Sequence, residues 1–227
     1  MLLSIIVPVY NEQSTIGNII DRVKEAVQQT GLKNEIIVVD DHSYDKSLAI
    51  ARRQNVKLYT LKKHMGKGYA LRAGFSKANG NIIVTIDSDG SHRPEELSEV
   101  LAPVLQDKAD LVIGSRYMNH KKVAARKLNA FGVKLFNGSI QLLTGVAITD
   151  SQSGYRAMKS EVLKNQKLTS GTYEIESEML VKTAKERFRV TEVPISFEQR
   201  TYGRSGVDPL MDGFKILLSI FSAFVKG

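Results

Sequence analysis

Apolar residues recur along this chain in two periods. Residues 2–9, 35–39, 56–61, 82–86 and 110–114 are short, near-continuous apolar runs. Such runs predict strands buried on both faces of a parallel sheet. Between them the spacing changes to threes and fours. Ile16, Ile19, Ile20, Val23 and Val27 share one stripe and predict a helix over 14–29. Helices are also expected over 45–54, 66–79 and 94–106. The last has Pro94 near its first turn and the acids Glu95 and Glu96 beside it. Strand alternating with helix predicts an α/β fold, a mostly parallel sheet covered by helices on both faces.

The regularity stops after Gly114. Residues 117–123 read as a polar, basic loop. A helix is expected over 124–143, with Leu128, Phe131, Leu135 and Leu142 on one stripe. A turn follows at 149–153, a helix at 174–185, and a strand at 189–197 that Pro194 interrupts. Residues 200–206 form a polar, glycine-containing loop. Residues 210–225 predict a strongly apolar helix in which only Asp212 and Lys215 are charged. It is too short and too interrupted for a membrane span, which needs about 20 apolar residues.

Charge divides the chain at the same place. Residues 1–115 carry 14 Lys+Arg and 14 Asp+Glu, whereas 116–227 carry 18 and 10, so the whole formal excess of +8 lies in the second half. A basic half implies an anionic partner: phosphate, anionic lipid or nucleic acid. The absence of cysteine excludes disulfides and thiolate metal sites and fits a reducing compartment. The N-terminus has no basic region and no small-residue cleavage site, so it does not read as a signal peptide.

Ligands of open parallel sheets bind at the carboxyl ends of strands. Here those ends read Pro8-Val9-Tyr10-Asn11-Glu12, Asp40-Asp41-His42-Ser43, Asp87-Ser88-Asp89-Gly90 and Gly114-Ser115-Arg116. Asp87 and Asp89 are hard oxygen donors suited to Mg²⁺ or Mn²⁺ carrying a substrate phosphate. Asp, Ser and Gly also favour a plain strand-ending turn, and the pair alone leaves both readings open. Glycines do not follow the first strand, so a dinucleotide fingerprint is missing. Gly66-Lys67-Gly68 fails as a phosphate loop, because Leu61 stands where a glycine is required and Gly68 follows the lysine. His42, His64, His92 and His120 show no zinc spacing and read as surface or locally bonded side chains. Residues 150–156, Asp-Ser-Gln-Ser-Gly-Tyr-Arg, are dense in hydrogen-bonding groups; a turn closing onto a strand is the plainer account.

Taken in order, Pro8-x-Tyr10-Asn11-Glu12, Val38-Val39-Asp40-Asp41-x-Ser43, Asp87-x-Asp89, Gly114-Ser115-Arg116-Tyr117, Asp150-x-x-Ser153-Gly154-Tyr155-Arg156 and Val193-Pro194-Ile195-x-Phe197-x-x-Arg200-x-x-Gly203-x-Ser205 resemble the family 2 glycosyltransferases. Within them the likeness is to the dolichol-phosphate mannosyltransferase-like, polyprenyl-phosphate glycosyltransferase group, over about residues 2–210. The resemblance implies a GT-A fold, a single domain over 1–227. Residues 1–115 would be its nucleotide-sugar half, 116–209 its acceptor half and 210–227 a C-terminal apolar helix. It implies inverting transfer of a hexose from GDP-mannose, UDP-glucose or UDP-GlcNAc to dolichyl or polyprenyl phosphate, with Mg²⁺ or Mn²⁺.

By the same resemblance Pro8, Tyr10, Glu12, Val38 and Asp40 would bind base and ribose. Asp87, Ser88 and Asp89 would flank the diphosphate, with Asp87 and Asp89 at the metal and Asp89 its principal ligand. Arg116, Arg126 and Arg200 would meet the acceptor phosphate, and Asp89, Arg116 and Arg200 would carry catalysis. The group's acidic motif usually continues Asp-x-Asp-Leu-Gln, where this chain has Gly90 and Ser91. Its late motif usually runs Gly-x-Ser-Lys, where this chain has Gly206. A peripheral enzyme at the cytoplasmic membrane face is expected. Rivals are transfer to a glycan or protein, a basic nucleic-acid-binding α/β protein, and a non-catalytic homologue. The chain has no tryptophan, hence no Gln-x-x-Arg-Trp motif of processive synthases. It also lacks a recognisable nucleic-acid module.

Overall fold

Each of the five apolar runs becomes a strand in the structure, a computed structural model that describes residues 1–118, 127–164, 166–198 and 210–226. The strands and helices in chain order are β1 (Leu2–Val9), α1 (Ile16–Thr30), β2 (Lys33–Asp40), α2 (Ser47–Arg52), β3 (Lys57–Thr60), α3 (Lys67–Lys77), β4 (Ile82–Thr85), α4 (Leu97–Leu105), β5 (Leu111–Ser115), α5 (Lys127–Thr144), β6 (Arg156–Lys159), α6 (Ser160–Lys164), α7 (Ile175–Lys185), β7 (Val190–Pro194) and α8 (Met211–Lys226). A tight 3₁₀ turn over Pro94–Glu96 opens the helix expected at 94–106.

The described strands form one sheet in the order β3-β2-β1-β4-β6-β5-β7. β1 pairs in parallel with β2 and β4, β2 with β3, and β5 with β7. The expected mostly parallel sheet is found, with one antiparallel member: β6 lies between β4 and β5 and runs against both. The turn at 150–156 reads in sequence as closing onto a strand, but the strand itself is not marked out, because Arg-Ala-Met-Lys carries no apolar run; pairing on both sides makes it one. Two apolar cores flank the sheet, and successive side chains alternate between them. Ile5, Val7, Val38 and Val84 join α1, α2 and α4 in one. Ile6, Ile37, Ile83 and Ile113 join α3, α5, α7 and α8 in the other.

The strand order reverses between β1 and β4, which opens a crevice at their carboxyl ends. At the opposite end of the sheet, buried Glu35 of β2 closes the packing. It accepts the Ser4 hydroxyl at 2.5 Å and the Asn79 N–H at 2.7 Å, and it pairs with Lys57 at 2.5 Å. Burial pushes its pKa up, but these donors outweigh burial and hold it at about 2. Folding therefore favours the carboxylate. The stability this supplies is complete above the carboxyl's ordinary 4.5 and is lost as pH falls toward about 2. Glu35→Gln should flatten that acid limb and cost about 1–3 kcal/mol at neutral pH, because it unpairs buried donors. Urea denaturation of both proteins at stepped pH measures it.

Candidate active site

The loops after β1 and β2 are stitched together. Ser43 Oγ accepts the Asn11 N–H, Ser47 Oγ accepts the Glu12 N–H, and Asn11 Oδ1 accepts the Tyr44 N–H. Asn11 and His42 hold positive φ, 55° and 62°, a cost that clusters at functional sites. Asp40 is fully buried and accepts the Ser43 N–H. Asp41 holds the turn before α3: it accepts the Met65 and Gly66 N–H groups and the His64 ring nitrogen at 2.7–2.8 Å. The rings of His64 and Tyr10 stack at 3.9 Å, and Tyr44 stands edge-on to Tyr10. Tyr10, Glu12 and Asp40 thus lie together at these tips. Val38 does not join them: it is fully buried in the core, two residues short of the strand end.

β4 ends at Thr85, and the acid pair follows it. Ser88 Oγ donates to the Pro8 carbonyl at 2.8 Å, tying the tips of β4 and β1 together. Asp89 Oδ1 accepts the Ser91 N–H at 3.0 Å, and Gly90 turns the chain at φ 80°. Asp87 faces cations. Lys67 Nζ lies 2.6 Å from its Oδ1 and 2.7 Å from Glu176 Oε1 on α7. Burial would raise the Asp87 pKa, but Lys67 outweighs it and holds it down; the same pairing raises Lys67. His92, expected to be a surface or locally hydrogen-bonded side chain, is instead buried. Its Nδ1 is 3.8 Å from Asp87 Oδ2, and its ring nitrogens have no hydrogen-bond partner among the described residues. Burial pushes its pKa down.

Arg116 follows β5. Its Nε and Nη2 donate to the two oxygens of buried Asp150 at 2.7 and 2.8 Å, and its backbone N–H adds a third bond. Asp150 is held in turn by Glu192, which accepts the Thr149 and Asp150 N–H groups. The 150–156 stretch is a turn closing onto β6, and it also fixes this arginine. Arg156 is fully buried and donates to the carbonyls of Ser151, Ser153 and Glu176 at 2.7–2.9 Å. Arg126, Arg200 and His120 lie outside the described residues.

Lys67 and Glu176 carry no site role in sequence; Asp150 reads only as part of the 150–156 motif, and His92 as a surface or locally bonded histidine. For Lys67 the available signal is Gly66-Lys67-Gly68, and the role of its glycines is steric. A Cβ on Gly66 would lie 2.7 Å from the Gly171 carbonyl, and one on Gly68 2.5 Å from the Ser170 carbonyl. The glycines let α3 abut that backbone and present Lys67 to Asp87.

Asp87 and Asp89 present hard oxygens, while no cluster of three potential metal-ligating side chains occurs among the described residues. The donor set fits a hard divalent cation that takes its remaining ligands from phosphate and water.

Comparison with known proteins shows the family and the fold. The family model "Glycosyl transferase family 2" matches residues 4–166. The chain is 31% identical to the UDP-N-acetylglucosamine–dolichyl-phosphate N-acetylglucosaminyltransferase of Methanococcus voltae, covering 95% of this chain and 93% of that protein. It is 33% identical to the dolichol-phosphate mannosyltransferase of Pyrococcus furiosus, covering 90% of this chain and 59% of that protein. It is 36% identical to the polyprenol monophosphomannose synthase of Mycolicibacterium smegmatis, covering 88% and 79%. Among solved structures, glucosyl-3-phosphoglycerate synthase from Mycobacterium tuberculosis, in complex with Mn²⁺, UDP and phosphoglyceric acid, superposes with a TM-score of 0.78 at 20% identity, over 98% of this chain and 78% of that one. That likeness shows the fold, the GT-A architecture.

Two glycines separate close approach from mere flexibility. Gly68→Ala should lose about 1–3 kcal/mol, because the new methyl meets backbone and α3 must shift. Gly138, inside α5 with nothing within 4 Å of a Cβ, should instead gain roughly 0.5–1 kcal/mol as Ala. Thermal unfolding of the two variants reads the opposite signs.

Proposed function

The chain belongs to glycosyl transferase family 2, and from that premise we propose that it transfers a hexose from a nucleotide sugar to a polyprenyl phosphate, inverting the anomeric carbon. In this reading the donor lies in the crevice between the tips of β1 and β4, its base toward Tyr10, Glu12 and Asp40 and its diphosphate toward Asp87, Ser88 and Asp89. Asp89 would hold Mg²⁺ or Mn²⁺, which when bound neutralises charge on the departing diphosphate.

The acceptor is a phosphate monoester, already anionic at neutral pH, so it needs no strong general base. Its oxygen forms a bond to the anomeric carbon as the bond to the nucleoside diphosphate breaks, and that leaving group departs on the opposite face. The protein's task is electrostatic, since one anion must approach another. Burial would lower the Arg116 pKa, but Asp150 outweighs it and raises the value, so the guanidinium stays charged and aligned beside the site. Arg126 and Arg200 are assigned to the acceptor phosphate from their motif positions.

The observation that carries a lipid acceptor is α8. Its inner face buries Ile216, Ile220 and Ala223 against α5 and α7. Its outer face exposes Met211, Phe214, Leu218, Phe221 and Val225, with Leu210 just ahead of it, and α5 adds Leu135 and Leu142. No described helix is long and apolar enough to cross a membrane. An apolar face beside basic sequence suits a helix lying in the headgroup plane, peripheral at the cytoplasmic face. The relatives named for dolichyl- and polyprenol-phosphate products support this acceptor class. A soluble glycan or a nucleic acid gives that face no role.

Transfer of radiolabelled hexose to polyprenyl phosphate, screened over GDP- and UDP-sugars with Mg²⁺ and Mn²⁺, tests the reading directly. Asp89→Asn should lower turnover by about 10²-fold or more while the protein stays folded. Arg200→Lys should impair transfer, because lysine keeps the charge but loses the bidentate fork; unchanged kinetics would remove Arg200 from the site. Binding to anionic vesicles should weaken with salt and with Leu218→Asp or Phe221→Asp. Equal sedimentation with neutral and anionic vesicles would remove the electrostatic part of the membrane reading.

A further inference from the structure

The turn that carries Asp150 is held from two directions. From the sheet, Glu192 on β7 accepts the Thr149 N–H, the Thr149 hydroxyl and the Asp150 N–H at 2.7–3.0 Å. Ser115, at the end of β5, shares a 2.6 Å hydrogen bond with the Thr149 hydroxyl, and buried Arg156 donates to the Ser151 carbonyl. From the other direction comes Asn137, in the middle of α5. Its Nδ2 donates to the Thr149 carbonyl at 2.7 Å, and its Oδ1 accepts the Ser151 N–H at 3.1 Å. One side-chain amide therefore grips the backbone on both sides of Asp150, the carboxylate that aligns Arg116.

This grip is the directional part of the α5 contact. Phe136 and Ile140 pack into the core, but apolar contacts are non-directional and do not by themselves set where a helix stops along the surface it covers. Among the described side chains of α5, Asn137 alone makes hydrogen bonds beyond the helix and the turn that ends it. Leu135 is two residues away, roughly 200° around the helix. It is exposed, as is Leu142. The helix thus bonds to the arginine's turn on one side and offers apolar side chains to its surroundings on another.

Building on the polyprenyl-phosphate reading, we propose that Asn137 is a positioning residue: it registers α5 against the Asp150 turn and so fixes the separation between the lipid surface that α5 meets and the Arg116 guanidinium that meets the acceptor phosphate. An acceptor whose chain is held in a bilayer reaches the site only at that separation. A short acceptor free in water carries no such constraint. Glu192, Ser115 and Arg156 still hold the turn when Asn137 is removed, so Arg116 stays aligned and the transfer step itself is spared.

Three activities test this: transfer to long-chain polyprenyl phosphate in vesicles, transfer to water-soluble geranyl phosphate, and slow hydrolysis of the nucleotide sugar. Asn137→Leu keeps the shape and removes both hydrogen-bonding groups. It should lower kcat/KM for the vesicle acceptor by about tenfold, because a small misplacement of a bound reactant is costly. Its rates with geranyl phosphate and with water, and its donor KM, should stay within about twofold of wild type. Glu35→Gln, at the opposite end of the sheet, is the control for lost stability and should show no preference among the three. Equal losses on the vesicle acceptor and on geranyl phosphate, or on hydrolysis where geranyl phosphate is not used, would overturn the proposal. If Asn137→Leu does not fold, Asn137→Asp decides: it keeps the acceptor for Ser151, loses the donor to Thr149, and should show the same selectivity at smaller size. Wild-type protein that hydrolyses the donor but transfers to neither phosphate would sink the polyprenyl-phosphate reading and this proposal with it. Transfer to geranyl phosphate alone would keep the phosphate-acceptor class and sink only this proposal.

Discussion

Lys67 reaches Asp87 and Glu176 at once, and that bridge ties the start of α3, the tip of β4 and the start of α7 into one body. Each end of it is prepared by another contact. Asp41, at the tip of β2, fixes the turn that leads into α3. Glu176 lies in the first turn of α7, where the positive end of the helix dipole favours a carboxylate. Its backbone carbonyl takes a hydrogen bond from Arg156, which also clamps the carbonyls of Ser151 and Ser153. Charges this deep are tolerated only as a mutually paired set. The network therefore stands or falls together, and its geometry is inherited by whatever binds at the acid pair.

The antiparallel strand β6 gives the site its second wall. Running against β4 and β5, it begins at the end of the sheet where they finish. The loop before it delivers Gly154 to Asp87, the Gly154 carbonyl to the Thr85 hydroxyl of β4, and Asp150 to Arg116. Glu192 on β7 supports Asp150 from behind; burial raises its pKa despite the N–H groups it accepts. Arg116 is thus an oriented charge and not a freely swinging one. That distinction was invisible in the motif Gly114-Ser115-Arg116, which names the cation but not its carboxylate.

What could be read from sequence followed from locality. Buried parallel strands announce themselves as apolar runs, and strand-end acids stand out because solvated charge usually rides on helix faces. The element order over 1–115 and the positions of Tyr10, Asp40, Asp87 and Asp89 came from that logic. Features made by distant pairing did not. β6 has charged residues at both ends and becomes a strand only between two neighbours. Glu176 lay unremarked inside the helix expected at 174–185, and His92 read as a surface or locally bonded histidine; packing of α7 and the segment around Phe197 buries both. Val38 went the other way: its motif suggested a ligand contact, but strand alternation turns it into the core.

The helix at 210–225 was legible as apolar, but its composition could not say that only one face is core. Burial of Ile216, Ile220 and Ala223 leaves Phe214, Leu218 and Phe221 in solvent, a pattern that folding alone does not require. The substitution of Gly90 and Ser91 for the usual Leu-Gln acts at the other end of the same question. Ser91 works through its backbone, giving its N–H to Asp89 and its carbonyl to the Glu198 N–H. Those two bonds brace the turn. An acid pair with one member held by lysine and a neighbouring glutamine replaced offers few oxygens of its own. In the glycosyltransferase reading, the cation then depends on the diphosphate it accompanies, and each binds better in the other's presence. In that reading the protein's fixed charges would supply orientation, and the substrate would supply much of the coordination.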